Sequence, residues 1–194
     1  MYHYAISGIQ GSGKGTQATK LSAMLDLVHI STGDWCRWHL KNQTIYSYEL
    51  DIINQGGMVP DALIIELVQK RLDWHDPLRP FLLDGFPRTR PQADYLFKHY
   101  HFAAIVHLDL PTEVAMERAL NRVEGGAARA DDTHEALLKR FSLYREFTQP
   151  LLDFYDKQNI LHVIDGRGSI EEVFKKIMDS LNARGAVAMN KKGY

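Results

Sequence analysis

Apolar and polar positions along the chain follow two alternating periods. Short apolar runs at 2–7, 27–30, 80–83, 103–108 and 160–164 each end near Gly, Asp or Pro, as buried strands do. Between them the apolar residues recur at helical spacing. Ala18, Leu21 and Leu25 share one face of a helix over 16–25, and Leu63, Leu67, Val68 and Leu72 form a second stripe. Val114, Ala115, Arg118 and Ala119 belong to a third helix, with Pro111 at its first turn beside Thr112. Leu137, Phe141, Tyr144, Leu151 and Tyr155 predict a long helix bent near Pro150. Ile170, Val173, Phe174 and Ile177 mark the last. Strands alternating with helices predict an α/β fold with parallel pairing, right-handed crossovers and helices on both faces. Ligands of such sheets bind beyond the carboxyl ends of the strands. Two segments break the alternation. Residues 31–73 hold several helices with no strand between them, and 123–132 form a Gly/Ala/Arg loop without apolar period. Both could be movable inserts over a cleft.

The junction after the first strand carries the strongest chemical signal. Gly8-x-x-x-x-Gly13-Lys14 fits a phosphate-binding loop between strand and helix. Gly8, Gly11 and Gly13 allow backbone conformations closed to other residues, so that N–H groups can wrap a polyphosphate. A helix from about Lys14 adds its N-terminal dipole. Lys14 supplies a mobile charge for the terminal phosphates. The hydroxyl expected directly after the lysine comes one place later, at Thr16, with Gly15 between. The alternative is a glycine-rich turn carrying a surface lysine.

Three further segments fall at strand ends. Ser31-Thr32-Gly33-Asp34, with Arg37 one turn on, offers a hydroxyl that can bond a base or merely cap the helix. Asp84-Gly85-Phe86-Pro87-Arg88, with Gln92, follows the third strand. Asp84 there can hold Mg²⁺ through water, Arg88 can grip a phosphate with two parallel bonds, and Gln92 can read a base edge. On its own this is equally a turn with a solvated arginine. Arg118, Arg122, Arg129 and Arg140 gather on and around the 123–132 loop. Elsewhere they would be a solvated face. Opposite a phosphate cradle they suit phosphoryl transfer, which needs alignment and charge stabilisation more than covalent chemistry. Asp131-Asp132 either anchors that loop or starts a solvated helix. His107 and His162 on strands read as structural, and Trp35, Trp38 and Trp74 as packing residues, Trp35 lying beside Thr32-Gly33.

Bulk properties narrow the class. A chain of 194 residues, 45% hydrophobic, can bury one core without staples. A net charge of −1 gives no support for nucleic-acid or membrane-surface binding. The single cysteine, Cys36, excludes an internal disulfide and fits a reducing cytoplasm. No apolar run approaches the roughly 18 residues of a membrane span, and the N-terminus has no basic region of a signal peptide. A folded domain is expected over 1–184, with 185–194 a flexible, weakly basic tail.

Together these segments resemble the adenylate kinase family of short-lid type, from Tyr4 to about Leu181. The residues that carry the likeness are Gly11–Gln17, Ser31–Asp34 with Arg37, Gly57-Met58-Val59-Pro60, Leu83–Thr89 with Gln92, Glu117-Arg118, Arg129-Ala130-Asp131-Asp132 and Tyr144-Arg145-Glu146. The resemblance implies a P-loop nucleoside triphosphate hydrolase-like three-layer fold. Its five-stranded parallel sheet carries an NMP-binding insert at about 31–60 and a short lid at about 123–132. It implies the reversible Mg²⁺-dependent reaction of ATP with AMP to give two ADP, serving adenine nucleotide homeostasis. Gly11, Ser12, Gly13, Lys14, Gly15 and Thr16 would hold the ATP phosphates. Arg118 would stack on the ATP adenine beside the Gly168 backbone, and Arg122 would bind ATP phosphate. Thr32, Arg37, Gly57, Met58, Val59, Gly85, Phe86, Pro87, Arg88 and Gln92 would form the AMP site. Arg129 and Arg140 would reach the transferring phosphate. No zinc, nucleic acid or membrane is implied, and a cytoplasmic monomer is the family expectation. The chain departs from the family pattern at Gln10, usually proline, at Trp35-Cys36, commonly Leu-Leu, at Ala128, His134 and Leu138, and in a lid loop one residue longer. The nearest rivals are a UMP/CMP kinase, which usually carries Ala for Thr32 and Asn for Thr89, and a nucleotide-binding regulatory protein without turnover.

Overall fold

A computed structural model describes residues 1–44, 46–122 and 133–189. Five parallel strands form one sheet in the order β2-β3-β1-β4-β5: β1 (Tyr2–Gly8), β2 (Val28–Ser31), β3 (Phe81–Asp84), β4 (His101–Asp109) and β5 (Leu161–Asp165). All five expected strands are present, each ending a residue past the expected limit. The sequence between β1 and β2 forms α1 (Lys14–Leu25), and that between β2 and β3 forms α2 (Thr32–Lys41), α3 (Ser47–Leu50) and α4 (Asp61–Asp73). Further helices are α5 (Arg90–His99), α6 (Thr112–Arg122), α7 (His134–Leu143), α8 (Leu151–Asp156) and α9 (Ile170–Ala183). The expected helices without a strand over 31–73 are therefore observed.

The pleat sorts the apolar residues onto two faces. Tyr4 and Ile6 of β1 pair with Leu82 and Asp84 of β3 and with Ala104 and Val106 of β4. Tyr4, Ile6, Leu82, Ala104 and Val106 join Ala18 and Leu21 of α1 and Val173, Ile177 and Leu181 of α9 in one core. Ala5, Leu83 and Ile105 point the other way, into a core with Leu67 and Val68 of α4, Leu96 of α5 and Tyr155 of α8. Burial on both faces explains why these strands read as continuous apolar runs.

Three details differ from the sequence expectation. On α4 the buried stripe is Ile64, Leu67, Val68 and Leu72, with Leu63 only partly buried against the same core; Ile64 also lines the cleft described below. The helix expected to bend near Pro150 is broken into α7, a π turn over Tyr144–Thr148 and α8. Pro150 has no N–H to carry the helix through, and the Gln149 amide instead donates to the Tyr144 carbonyl at 2.9 Å. Ile170, read as part of the last apolar stripe, is half exposed at the start of α9, and its carbonyl accepts from Gln17 Nε2.

Residues 186–189 fall within the segment expected as a tail. Ala186 is buried, its carbonyl accepts a 2.8 Å hydrogen bond from the Tyr4 hydroxyl, and Ala186–Met189 form a 3₁₀ turn. Burial pushes the Tyr4 hydroxyl up to about 12, so it remains a donor. Tyr4→Phe should leave that carbonyl unpaired and lower the unfolding free energy by about 1 kcal/mol. Amide hydrogen exchange at 186–189 should rise selectively. Unchanged exchange there would show that some other contact holds the turn.

Candidate active site

The loop after β1 takes the shape its glycines permit. Gly8, Gly11 and Gly13 have φ of 145°, 86° and 89°. At Gly11 the demand is also steric, since a Cβ would lie 2.2 Å from the Ala115 carbonyl oxygen of α6. Gly13 is the N-cap of α1, and the loop closes by Ser12 N–H donating to Ile9 O at 3.1 Å. Lys14 opens the helix, and its Nζ donates to Ile9 O at 2.8 Å. The lysine thus folds back over the loop, from where a terminal phosphate oxygen can draw it away.

One cleft joins this loop to the other motifs at the carboxyl ends of β1, β2 and β3. Gln10, Gly11, Gly13, Lys14 and Gly15 form one wall, and Ser31, Thr32, Gly33 and Arg37 another. Gly57, Met58 and Val59 cover it with Ile53 and Ile64, and Asp84, Gly85, Arg88 and Gln92 form the floor. Arg118 and Arg140 enter from α6 and α7. A neighbouring pocket shares Lys14, Arg88 and Arg140 with the cleft and is also lined by Gly8, Pro87, Tyr144 and Thr148.

On the Thr32 side the capping question is resolved. Ser31 is the N-cap of α2, accepting from Asp34 N–H, while Thr32 donates its hydroxyl to Asp84 O at 3.1 Å. With its proton given to Asp84 O, the Thr32 hydroxyl keeps acceptor capacity at the cleft wall. Arg37 is held by Asp34, one turn back. Trp35 does not line the cleft. It stacks on Trp38 with ring centroids 5.3 Å apart, meets Trp74 edge-on and lies beneath the Arg71 guanidinium.

The floor is the most tightly bonded part. Arg88 Nε donates to Gly85 O at 2.7 Å, and its own carbonyl accepts from Thr148 of the π turn at 3.0 Å. Protein packed round Arg88, and then Arg140, lower its pKa, opposed by Asp84; a guanidinium stays charged regardless. Arg140 donates to Ile53 O at 3.1 Å and so ties α7 to the 51–57 segment. Gln92 is buried, with Oε1 accepting from Arg88 N–H and Nε2 donating to Asp61 Oδ1, each at 2.7 Å.

Some expected site residues lie off the cleft wall. Ser12 is buried under the loop, Thr16 is exposed on α1, and Phe86 is a core residue. Gly168 also lies off the wall, although Arg118 donates to Gly166 O two residues before it, at 3.0 Å. Arg122 is the last residue of α6; Arg129, Asp131-Asp132, Ala128 and the whole 123–132 loop lie outside the described residues. His107 and His162 are buried away from the wall, against the Tyr144 hydroxyl and Ser180. Burial pushes each down to about 4, so both are neutral at pH 7.

Asp84 fits water-mediated metal binding. It ends β3 so close to α1 that a Cβ at Gly15 would lie 3.5 Å from its Oδ2. His29 Nε2 is 3.6 Å from the same oxygen. Among the described residues no group of three or more His, Cys, Asp or Glu could hold a metal by themselves. Mg²⁺ keeps much of its water and shares one or two carboxylates with substrate phosphates, so a single carboxylate beside a phosphate loop suits it. Sequence reading missed Ile53 and Ile64 as apolar walls and Asp61 behind Gln92. Asp61 carried one local hint, its place directly after Gly57–Pro60.

The likeness to known proteins spans most of the chain. The family model described as adenylate kinase matches residues 6–160. An adenylate kinase of Deinococcus radiodurans is 38% identical over 90% of this chain and 94% of its own. One from a Cyanothece species is 40% identical over 91% and 93%, and one from Porphyromonas gingivalis 37% over 91% and 94%. The parallel sheet, the loop at Lys14 and these matches over nine-tenths of the sequence make the chain a member of the adenylate kinase family, the nucleoside monophosphate kinases that act as phosphotransferases.

Proposed function

We propose that the protein transfers the terminal phosphoryl group of ATP to AMP, reversibly, giving two ADP. The observation that carries this reading is a single cleft in which the Lys14 loop faces Arg88 and Gln92 across Asp84. Such an arrangement holds a donor polyphosphate and an acceptor phosphate nose to nose, as in-line transfer requires. Gly11, Gly13 and Gly15 line the donor side with backbone, and Lys14 follows the charge that moves onto the bridging oxygen. Arg118, fixed by Gly166 O, offers its flat face to the donor base. Arg88, Arg37 and Arg140 hold the acceptor phosphate and the transferring group. Arg122 and Arg129 join them on the strength of the family likeness alone. Mg²⁺, bound through water to Asp84, would neutralise the donor phosphates and align them. Residues 31–60 act as the AMP-binding insert and 123–132 as a short lid.

The base edge separates adenylate from pyrimidine acceptors. Gln92 has one N–H and one Oε1 lone pair left after its two protein bonds. These match the N1 acceptor and N6 donor of adenine. Ile53 and Ile64 provide apolar contact and Thr32 a further acceptor. The family likeness also supports a monomer in the cytoplasm, and no helix among the described residues is long and apolar enough to cross a membrane.

Lys14→Met should lower kcat by about a hundredfold or more while raising KM less, the scale expected for one strong electrostatic group. Single-turnover ADP formation from ATP and AMP measures this, and a near-normal kcat would remove Lys14 from the mechanism. In the same assay AMP should exceed UMP, CMP and GMP in kcat/KM by about a hundredfold or more, the range of one or two buried groups left unpaired by a wrong base. Gln92→Ala should erode that preference with the KM for ATP nearly unchanged. A wild-type protein that uses UMP or CMP as well as AMP would make it a pyrimidine nucleotide kinase, and one without any turnover a binding protein.

A further inference from the structure

Behind the floor of the cleft a carboxylate holds two polar side chains at one atom. Asp61 Oδ1 accepts from Gln92 Nε2 at 2.7 Å and from the Thr89 hydroxyl at 2.8 Å. Thr89 is the N-cap of α5 and accepts from Gln92 N–H at 3.4 Å, while Gln92 Oε1 accepts from Arg88 N–H at 2.7 Å. Asp61 is the first residue of α4, so these bonds reach from the helical insert to the helix that carries Gln92.

The chemistry of this network is directional. A primary amide looks nearly the same when turned by 180°, and only its partners fix which end is which. Here a flip would set Nε2 against the Arg88 N–H and Oε1 against the Asp61 carboxylate. Both new contacts would be repulsive, donor to donor and acceptor to acceptor. Gln92 is therefore locked with one N–H and one lone pair presented to the cleft in a fixed order. Adenine offers an acceptor at N1 beside a donor at N6. Guanine offers a donor at N1 beside an acceptor at O6, the reverse order, which only the flipped amide would match.

We propose that Asp61 is a specificity-positioning residue. By anchoring the amide nitrogen of Gln92 it selects an aminopurine edge against an oxopurine edge in the acceptor site, without touching the nucleotide. This inference rests on the reading of Gln92 as the acceptor-base contact. Asp61→Asn retains a carbonyl oxygen that can accept the same two bonds and should behave as wild type. Asp61→Ala removes the anchor and leaves the Arg88 N–H as the sole lock.

The test compares kcat/KM for AMP and for GMP at saturating MgATP in the wild type, Asp61→Ala, Asp61→Asn and Asp61→Glu. Asp61→Glu keeps charge and helix start but moves the oxygen by one methylene, and so serves if the alanine variant does not fold. The AMP-to-GMP ratio should fall about tenfold or more in the alanine and glutamate variants, the cost scale of one lost buried partner. The fall should come chiefly from a higher KM for AMP, with the KM for ATP unchanged and the ratio restored in Asp61→Asn. A merely structural role would lower the melting temperature without moving the ratio. Retention of the wild-type ratio by a folded Asp61→Ala or Asp61→Glu protein would overturn the inference while leaving the Gln92 reading intact. Equal use of AMP and GMP by the wild type would instead overturn the Gln92 reading, and this inference with it.

Discussion

The pairing of Ile6 with Asp84 across β1 and β3 is the constraint from which the site follows. Both strands run in the same direction, and β1 continues two residues past this pair, to Gly8. The phosphate loop therefore leaves β1 just beyond the level where Asp84 ends β3, and α1 starts against the Asp84 carboxylate. A slip of one residue would turn Ile6 off its core face and carry Asp84 away from the loop. Core packing on both faces of the sheet thus positions chemistry at its edge. Val28–Ser31 repeats the arrangement on the far side of β3, with Ser31 level with Asp84, bringing Thr32 and Arg37 to the same cleft.

Four cations of this cleft are oriented by main-chain carbonyls. Lys14 rests on Ile9 O, Arg88 on Gly85 O, Arg118 on Gly166 O and Arg140 on Ile53 O. A main-chain carbonyl gives direction to a guanidinium or ammonium. Exchange of a carbonyl for a phosphate oxygen trades a neutral acceptor for a charged one and gains a stronger bond. Arg37 is also paired with a carboxylate, Asp34, one turn back on α2.

What the sequence made legible was local. The strands could be placed because burial on both faces leaves continuous apolar runs, and the phosphate loop because its glycines follow one another within a single turn. Thr32, Arg88 and Gln92 sat close to strand ends and could be picked out in the same way. The parts that escaped depend on chain segments meeting in space. Asp61 acts on Gln92 from 31 positions away, and no spacing rule links the two. Ile64 was passed over for Leu63 because apolar periodicity does not settle which of two adjacent apolar residues is the more buried. Trp35 lies two residues after Gly33, yet its ring packs on Trp38 and Trp74 rather than in the cleft.

The π turn at Tyr144–Thr148 carries an effect well beyond its own length. A π turn holds one residue more than the α-helical turn it replaces, and each residue of a helix advances the azimuth by about 100°. Winding the same residues at uniform α pitch would rotate everything after them by about that angle before Pro150 interrupts the helix. Thr148 would swing off the Arg88 carbonyl, and Leu151 and Tyr155 would turn away from the sheet. The surplus residue thus acts as a phase adjuster between two surfaces with different demands: α7 upstream faces the insert, and α8 downstream faces the core. A helix of uniform pitch could satisfy only one of them.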